Sequence, residues 1–288
     1  MTYKRALMGC KPSSVCDTVL TYYRYAPLRF SPANAFGFAE LRFAHIVEAY
    51  KATVLLAFFS SALALTGCAT IRPDMLAKGA TAEKVVLPDG STVQYMQYVP
   101  VSYHGGKAPV IVFLHGSGEA GSDVTRVMGP GPWEYARDHA DFPFIILAPQ
   151  QWHDEEWKPR QLKAWLDVAE ARIPADRKRI YLTGLSLGGG GAWDWGMVQP
   201  HRFAAIAPVS GYSNLKTPCK LTGNHLWAFH GEIDDVVPIR DEDVLVSAAK
   251  ACGIDVKYTI YPGGNHNAWD ATYANPDLYA WFLDHKKE

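Results

Sequence analysis

Cysteine is scarce in this chain. There are five in 288 residues, and none pairs with histidine at the spacing of a metal-ligand set, which argues against a structural zinc. Charge of one sign is lacking as well. Lys and Arg total 28, Asp and Glu total 29, and the net charge is −1, so no basic field exists to recruit nucleic acid. No apolar run is long enough to cross a bilayer comfortably. Internal repeats are missing, which removes solenoids and arrays, and so are low-complexity linkers other than a tether after Cys68. Nothing in the sequence implies a cofactor. What remains is the composition of a globular protein, 48% hydrophobic and 20% charged. The length allows one large or two small domains.

The most informative segment runs from Tyr181 to Gly191. An apolar run, Tyr181-Leu182-Thr183, opens into Gly184-Leu185-Ser186-Leu187-Gly188 and then into further glycines. Gly-x-Ser-x-Gly arises by chance in glycine-rich turns. A strand before it and a helix after it turn the motif into a nucleophile elbow. A serine hydroxyl is a poor nucleophile until a tight turn presents it and a base takes its proton. Gly184 and Gly188 are expected where side chains would collide with neighbouring strands, and Ser186 is expected to carry a strained backbone.

Two further apolar runs supply partners. His225 to Phe229 ends in His230-Gly231-Glu232-Ile233-Asp234-Asp235, and Val256 to Tyr261 ends in Pro262-Gly263-Gly264-Asn265-His266. Ser, Asp and His thus follow one another, each just past the C-terminal end of an expected strand. That edge of an open parallel sheet is where ligands bind. The order Ser, Asp, His differs from those of chymotrypsin and subtilisin and matches the α/β-hydrolases.

These segments, with Val110 to Glu119 and His201 to Val209, resemble an α/β-hydrolase of the phospholipase/carboxylesterase group, close to dienelactone-hydrolase-like proteins and predicted peptidases. The resemblance covers about Val85 to the end of the chain. It implies an α/β fold: a mostly parallel sheet of about eight strands with an antiparallel N-terminal hairpin and helices on both faces. It implies Ser186 as nucleophile, His266 as base and Asp234 as the acid, with Asp235 as the neighbouring alternative. Backbone N–H groups of Leu187 and Ser117 are the implied oxyanion donors. His115 and His230 read as structural, Asp194 and Asp270 as surface or structural, and Glu119 as either a support of the oxyanion loop or a solvated charge. Trp133, Trp152, Trp157 and Trp269 fall in expected loops, where they either line a site or pack the layers; Trp152 and Trp269 are the candidate substrate contacts. The segment from Gly211 to Asn224 is too short for a lid domain, so an open site is expected. The expected substrates are short-chain, aromatic or polymer-linked acyl esters, with small peptides as the alternative.

Expected elements include a hairpin over Val85–Pro88 and Thr92–Val99 about an Asp89-Gly90 turn, a strand over Arg179–Thr183, and helices over Gln161–Ile173, Leu187–Gln199, Asp241–Ala251 and Pro276–Lys286. Upstream, Val54 to Cys68 has the length and small-residue ending of a signal-peptide core. Leu65-Thr66-Gly67-Cys68 resembles a bacterial lipobox, which implies lipidation at Cys68, export, and a lipid anchor in a bacterial membrane with the protein facing the periplasm. A long mixed segment precedes that core, so translation is expected to start later, near Val47. The expected division is 1–68 as leader, 69–82 as tether and 83–288 as catalytic domain. Within the resemblance, the strands after Cys219 and Cys252 are parallel neighbours. Both cysteines then sit at the sheet edge opposite the site, either bonded or as two separate thiols.

Overall fold

β-branched and aromatic residues in short apolar runs generate the sheet, and amphipathic segments between them generate its cover. The structure, a computed structural model, describes residues 76–214 and 217–288. The expected leader, the Cys68 lipidation site and the first half of the tether lie outside the described residues. In chain order the elements are β1 (Gly79–Val86), β2 (Thr92–Val99), β3 (Ala108–Leu114), α1 (Trp133–Asp138), β4 (Ile145–Pro149), α2 (Pro159–Glu170), β5 (Ala175–Leu185), α3 (Leu187–Val198), β6 (Ala205–Val209), β7 (His225–Gly231), α4 (Ile239–Ala251), β8 (Val256–Tyr261), α5 (Ala268–Ala274) and α6 (Pro276–Asp284). Among the described residues no helix is long and apolar enough to cross a membrane.

The eight strands form one sheet in the order β1-β2-β4-β3-β5-β6-β7-β8. β1 pairs antiparallel with β2, and β2 with β4. From β4 through β3 to β8 every pairing is parallel. Parallel strands covered on both faces need apolar residues at every position, and all seven residues of β3 are buried. Its alternate side chains feed two cores. Val110, Val112 and Leu114 pack with Trp165, Leu166 and Trp193. Ile111 and Phe113 pack with Trp133, Phe144, Tyr279 and Phe282.

α2 shows how the cover is built. Leu162, Trp165, Leu166 and Ala169 recur at helical spacing and are buried. Pro159 opens that helix, where its missing N–H costs nothing. α3 is different: it begins with Leu187 and four glycines, each about 1 kcal/mol worse than alanine in a helix. Close packing is what holds it, as the site geometry shows.

Two strands start earlier than expected. β1 begins at Gly79, inside the stretch read as a tether. It is an edge strand with four of its eight residues exposed and only one buried, so its sequence carries little apolar signal. β5 begins at Ala175, ahead of Arg179, with Ala175 pairing to Ala108. Asp176, Arg177, Lys178 and Arg179 follow, polar and not buried. At the same edge of the sheet, before β7 and β8, Cys219 and Cys252 are joined in a disulfide with Cα atoms 5.3 Å apart, within the span such a bond allows.

Candidate active site

Ser186 sits between β5 and α3 with φ 53° and ψ −117°. A non-glycine residue rarely adopts this conformation, and packing must enforce it. The enforcement is visible on either side. A Cβ on Gly188 would lie 2.0 Å from the carbonyl oxygen of Leu114, and one on Gly184 would lie 2.3 Å from that of Gly188. Only glycine lets β3, β5 and the start of α3 approach this closely. The Ser186 N–H is held by the Val209 carbonyl at 2.9 Å, so β6 also fixes the turn.

The structure brings Ser186, His266 and Asp234 together. Ser186 Oγ is 2.9 Å from His266 Nε2, and His266 Nδ1 is 2.8 Å from Asp234 Oδ2. Asp234 is buried, whereas Asp235 is exposed. The other carboxylate oxygen of Asp234 accepts the N–H groups of Val236 at 3.0 Å and Val237 at 2.9 Å. The sequence alternative, Asp235, contributes only its backbone N–H, to Asn265 Oδ1 at 3.2 Å. That same Asn265 oxygen accepts the His266 N–H at 2.7 Å, so Asn265 ties the two loops together. Gly231 permits their contact, because a Cβ there would lie 2.2 Å from the Asn265 carbonyl oxygen.

Leu187 and Ser117 open a helix and a 3-10 turn respectively, so neither N–H has an acceptor within its own element. Leu114 pairs with Gly184, which sets the loop after β3 beside the elbow. That loop is well anchored. Arg126 donates to the carbonyls of Gly118 and Ala120, and Gln150 donates to those of Glu119 and Asp123 at 2.9 and 2.7 Å. Glu119 packs against Gly116, where a Cβ would lie 3.3 Å from its Oε2. Burial raises its pKa.

His115 is buried beneath this loop. Its Nδ1 donates to the Gly116 carbonyl and its Nε2 accepts the Gln151 N–H at 3.1 Å. One ring proton satisfies both bonds. Burial pushes its pKa down to about 4, so it stays neutral and structural. Asp194 accepts from Ser213 and is raised by burial. Asp270 is exposed and accepts from Asn267 at 2.8 Å.

The tryptophans divide. Trp133 and Trp157 are buried. Trp133 donates to the Val127 carbonyl, and Trp157 stacks edge-on to His115 and donates to its carbonyl. Trp152 is exposed and lines a cleft of about 180 Å³ with Gln151, His153 and Trp157. Trp269 lies edge-on to His266 with ring centroids 5.0 Å apart. It stands on α5, a helix where the sequence suggested a loop, and borders a cleft of about 300 Å³ with Glu134, Tyr135, Asp138 and His139.

Sequence reasoning missed two groups. Ser210, at φ 47° after β6, donates its hydroxyl to the His266 carbonyl at 3.0 Å. Glu242, on α4, bonds to His230 behind Asp234. Both act across distant segments, and no local pattern marks them.

A family model described as Phospholipase/Carboxylesterase matches residues 160–275, a span from the start of α2 past His266. A thermostable esterase of known structure superposes with a TM-score of 0.66 at 30% identity, covering 72% of this chain and 63% of that one. The chain is an α/β-hydrolase by fold. A feruloyl esterase module from Clostridium thermocellum shares the α/β-hydrolase fold at 16% identity and TM-score 0.58, with 76% of this chain and 92% of that chain covered. So does a puromycin-hydrolyzing peptidase of Mycobacterium tuberculosis, at 16% identity and TM-score 0.53, with 71% and 39% covered. The chain therefore spans under two thirds of both the thermostable esterase and the peptidase. No curated protein sequence matches it.

Proposed function

We propose that this α/β-hydrolase is a serine carboxylesterase working through Ser186, His266 and Asp234. The observation that carries the reading is the continuous hydrogen-bond chain from Ser186 Oγ through His266 to the buried Asp234 carboxylate. His266 accepts the hydroxyl proton at Nε2 as Ser186 Oγ bonds to the ester carbonyl carbon. The carbonyl oxygen becomes an oxyanion facing the N–H groups of Leu187 and Ser117. Such donors are typically worth about 3–4 kcal/mol each. Collapse breaks the bond to the alcohol, which leaves with the proton from His266. Water then repeats the sequence on the acyl-serine, its proton passing to His266, and the acid departs. Asp234 keeps Nδ1 protonated and stabilises the imidazolium.

Esters are favoured over amides because the structure at 30% identity is an esterase. Short-chain, aromatic or polymer-linked acyl esters suit an open site, with Trp269 and Trp152 as candidate contacts. The second reading, a peptidase for small peptides, is favoured by the fold shared with a peptidase. Lipidation at Cys68, export and a bacterial membrane anchor belong to the proposal and rest on the sequence alone.

The test compares hydrolysis of a short p-nitrophenyl ester with that of an aminoacyl anilide, for the native chain and Ser186→Ala. The ester should be turned over faster. Ser186→Ala should lose on the order of 10⁶ in kcat. Ester activity within tenfold of the native protein in that variant would refute the nucleophile.

A further inference from the structure

A second histidine stands behind Asp234. His230, next to last in β7, is fully buried. Its Nε2 lies 2.9 Å from the Val237 carbonyl and 3.2 Å from Asp234 Oδ2. Its Nδ1 bonds to Oε2 of Glu242, which is also fully buried. Glu242 belongs to the first turn of α4, and its Oε1 accepts the Trp193 indole N–H at 3.0 Å. Trp193 lies on α3, the helix that Ser186 caps.

Only acceptors face this ring: one carboxylate at Nδ1, a carbonyl and a second carboxylate at Nε2. One ring proton cannot serve both sides, unlike His115. With the Glu242 carboxylate at Nδ1 and two acceptors at Nε2, the ring is an imidazolium beside a Glu242 carboxylate. The pair is neutral overall, and Nε2 carries its proton toward Val237 and Asp234. Burial opposes charge on His230, but the Glu242 carboxylate outweighs it and raises the histidine's pKa. The other groups around the pair are Asp234 in the turn after β7, His266 beyond it, and Tyr258 of β8, which donates to Asp243 at 3.0 Å and feels the Glu242 charge.

Such a pair is seldom worth its desolvation for stability alone, since well-packed apolar residues often do as well. Its location gives it a use. Asp234 Oδ1 is occupied by two backbone N–H groups, so His230 and His266 share Oδ2. We propose that Glu242 and His230 form a second carboxylate–imidazole pair that fixes Asp234 as an oriented acceptor and moderates its hold on His266. His230 is thereby a positioning residue for the proton transfer. Hydrogen bonds, with one ion-pair contact of 3.2 Å between His230 and Asp234, run from Trp193 through Glu242, His230, Asp234 and His266 to Ser186, and so begin on α3 and end at its N-cap.

This proposal rests on the serine-hydrolase reading, and the experiment separates the two. The rate at which a fluorophosphonate labels Ser186 is measured against pH in the native chain and in Glu242→Gln. If the native chain is not labelled, the hydrolase reading fails. If it is labelled, Glu242→Gln should react more slowly by about tenfold or more, short of the roughly 10⁴-fold cost of neutralising a triad aspartate. The acid limb of its profile should also move to higher pH, because Asp234, less shared, holds the His266 proton more firmly. Both changes are expected together in a folded variant, and the lack of either overturns the proposal. If the variant does not fold, ¹⁵N-histidine spectra of the native chain decide. The His230 ring must keep its Nε2 proton between about pH 5 and about pH 9, a range in which a free imidazole titrates. An unprotonated Nε2 overturns the proposal.

Discussion

The Ser210 hydroxyl donates to the carbonyl oxygen of His266 across 3.0 Å, from a residue held at φ 47° at the end of β6. The bond fixes the backbone of the loop that carries the base. Ser210→Ala should lower kcat several-fold, because one buried hydrogen bond is worth about 1 kcal/mol. KM should change little. Steady-state kinetics on a p-nitrophenyl ester will show this, and an unchanged kcat would mean that Asn265 and Gly231 hold the loop without help.

Asp234→Asn should reduce kcat by on the order of 10⁴, since the amide favours the wrong tautomer of His266. Asp235→Asn should leave kcat near the native value, because that side chain is exposed and the residue meets the His266 loop through its backbone N–H. The two variants are compared on one ester. A larger loss for Asp235→Asn would move the acid by one position.

His115 makes stability depend on pH. Its unfolded value is near 6.5 and its folded value near 4, because burial disfavours the charged ring. Above pH 6.5 both states are neutral there and His115 adds no pH dependence. Between about 6.5 and about 4 the unfolded chain takes up a proton that the folded chain refuses, so stability falls as pH drops through that window. The urea midpoint should therefore fall from about pH 7 to about pH 4.5, and by less in His115→Gln. An equal fall in both proteins would assign the acid sensitivity elsewhere.

The disulfide should contribute about 2–4 kcal/mol to stability and nothing to turnover. A non-reducing digest should contain a linked Cys219–Cys252 peptide. Replacing both cysteines with alanine should lower the melting temperature and leave kcat per folded molecule unchanged. The bond lies at the sheet edge opposite Ser186, so a change in kcat would mean that the two edges are coupled.

Much of this site was legible because its marks are local. Gly184, Ser186 and Gly188 fall within five residues, and the clashes that require glycine there are made by the turn itself and the adjoining strand. Asp234 and His266 each follow an apolar run, so strand ends located them. The sequence left the choice between Asp234 and Asp235 to the resemblance, and burial separates them in the structure. What could not be read depends on contacts between distant segments. Ser210 meets His266 from 56 residues away, and Glu242 finds His230 only once α4 has packed against β7. β1 and the start of β5 were under-read because partly exposed strands carry weak apolar alternation. α5 was missed because seven residues are too few to establish a helical period.

The hydrogen bond between Ser186 and His266 spans 80 residues of chain. The residues between them build α3, β6, β7, α4 and β8, with the disulfide-linked turn among them. No partly assembled sheet can present the base to the nucleophile. Probe labelling of Ser186 is therefore a clock for folding: during refolding it should start only when β8 has docked on β7, and during unfolding it should vanish when that edge lets go.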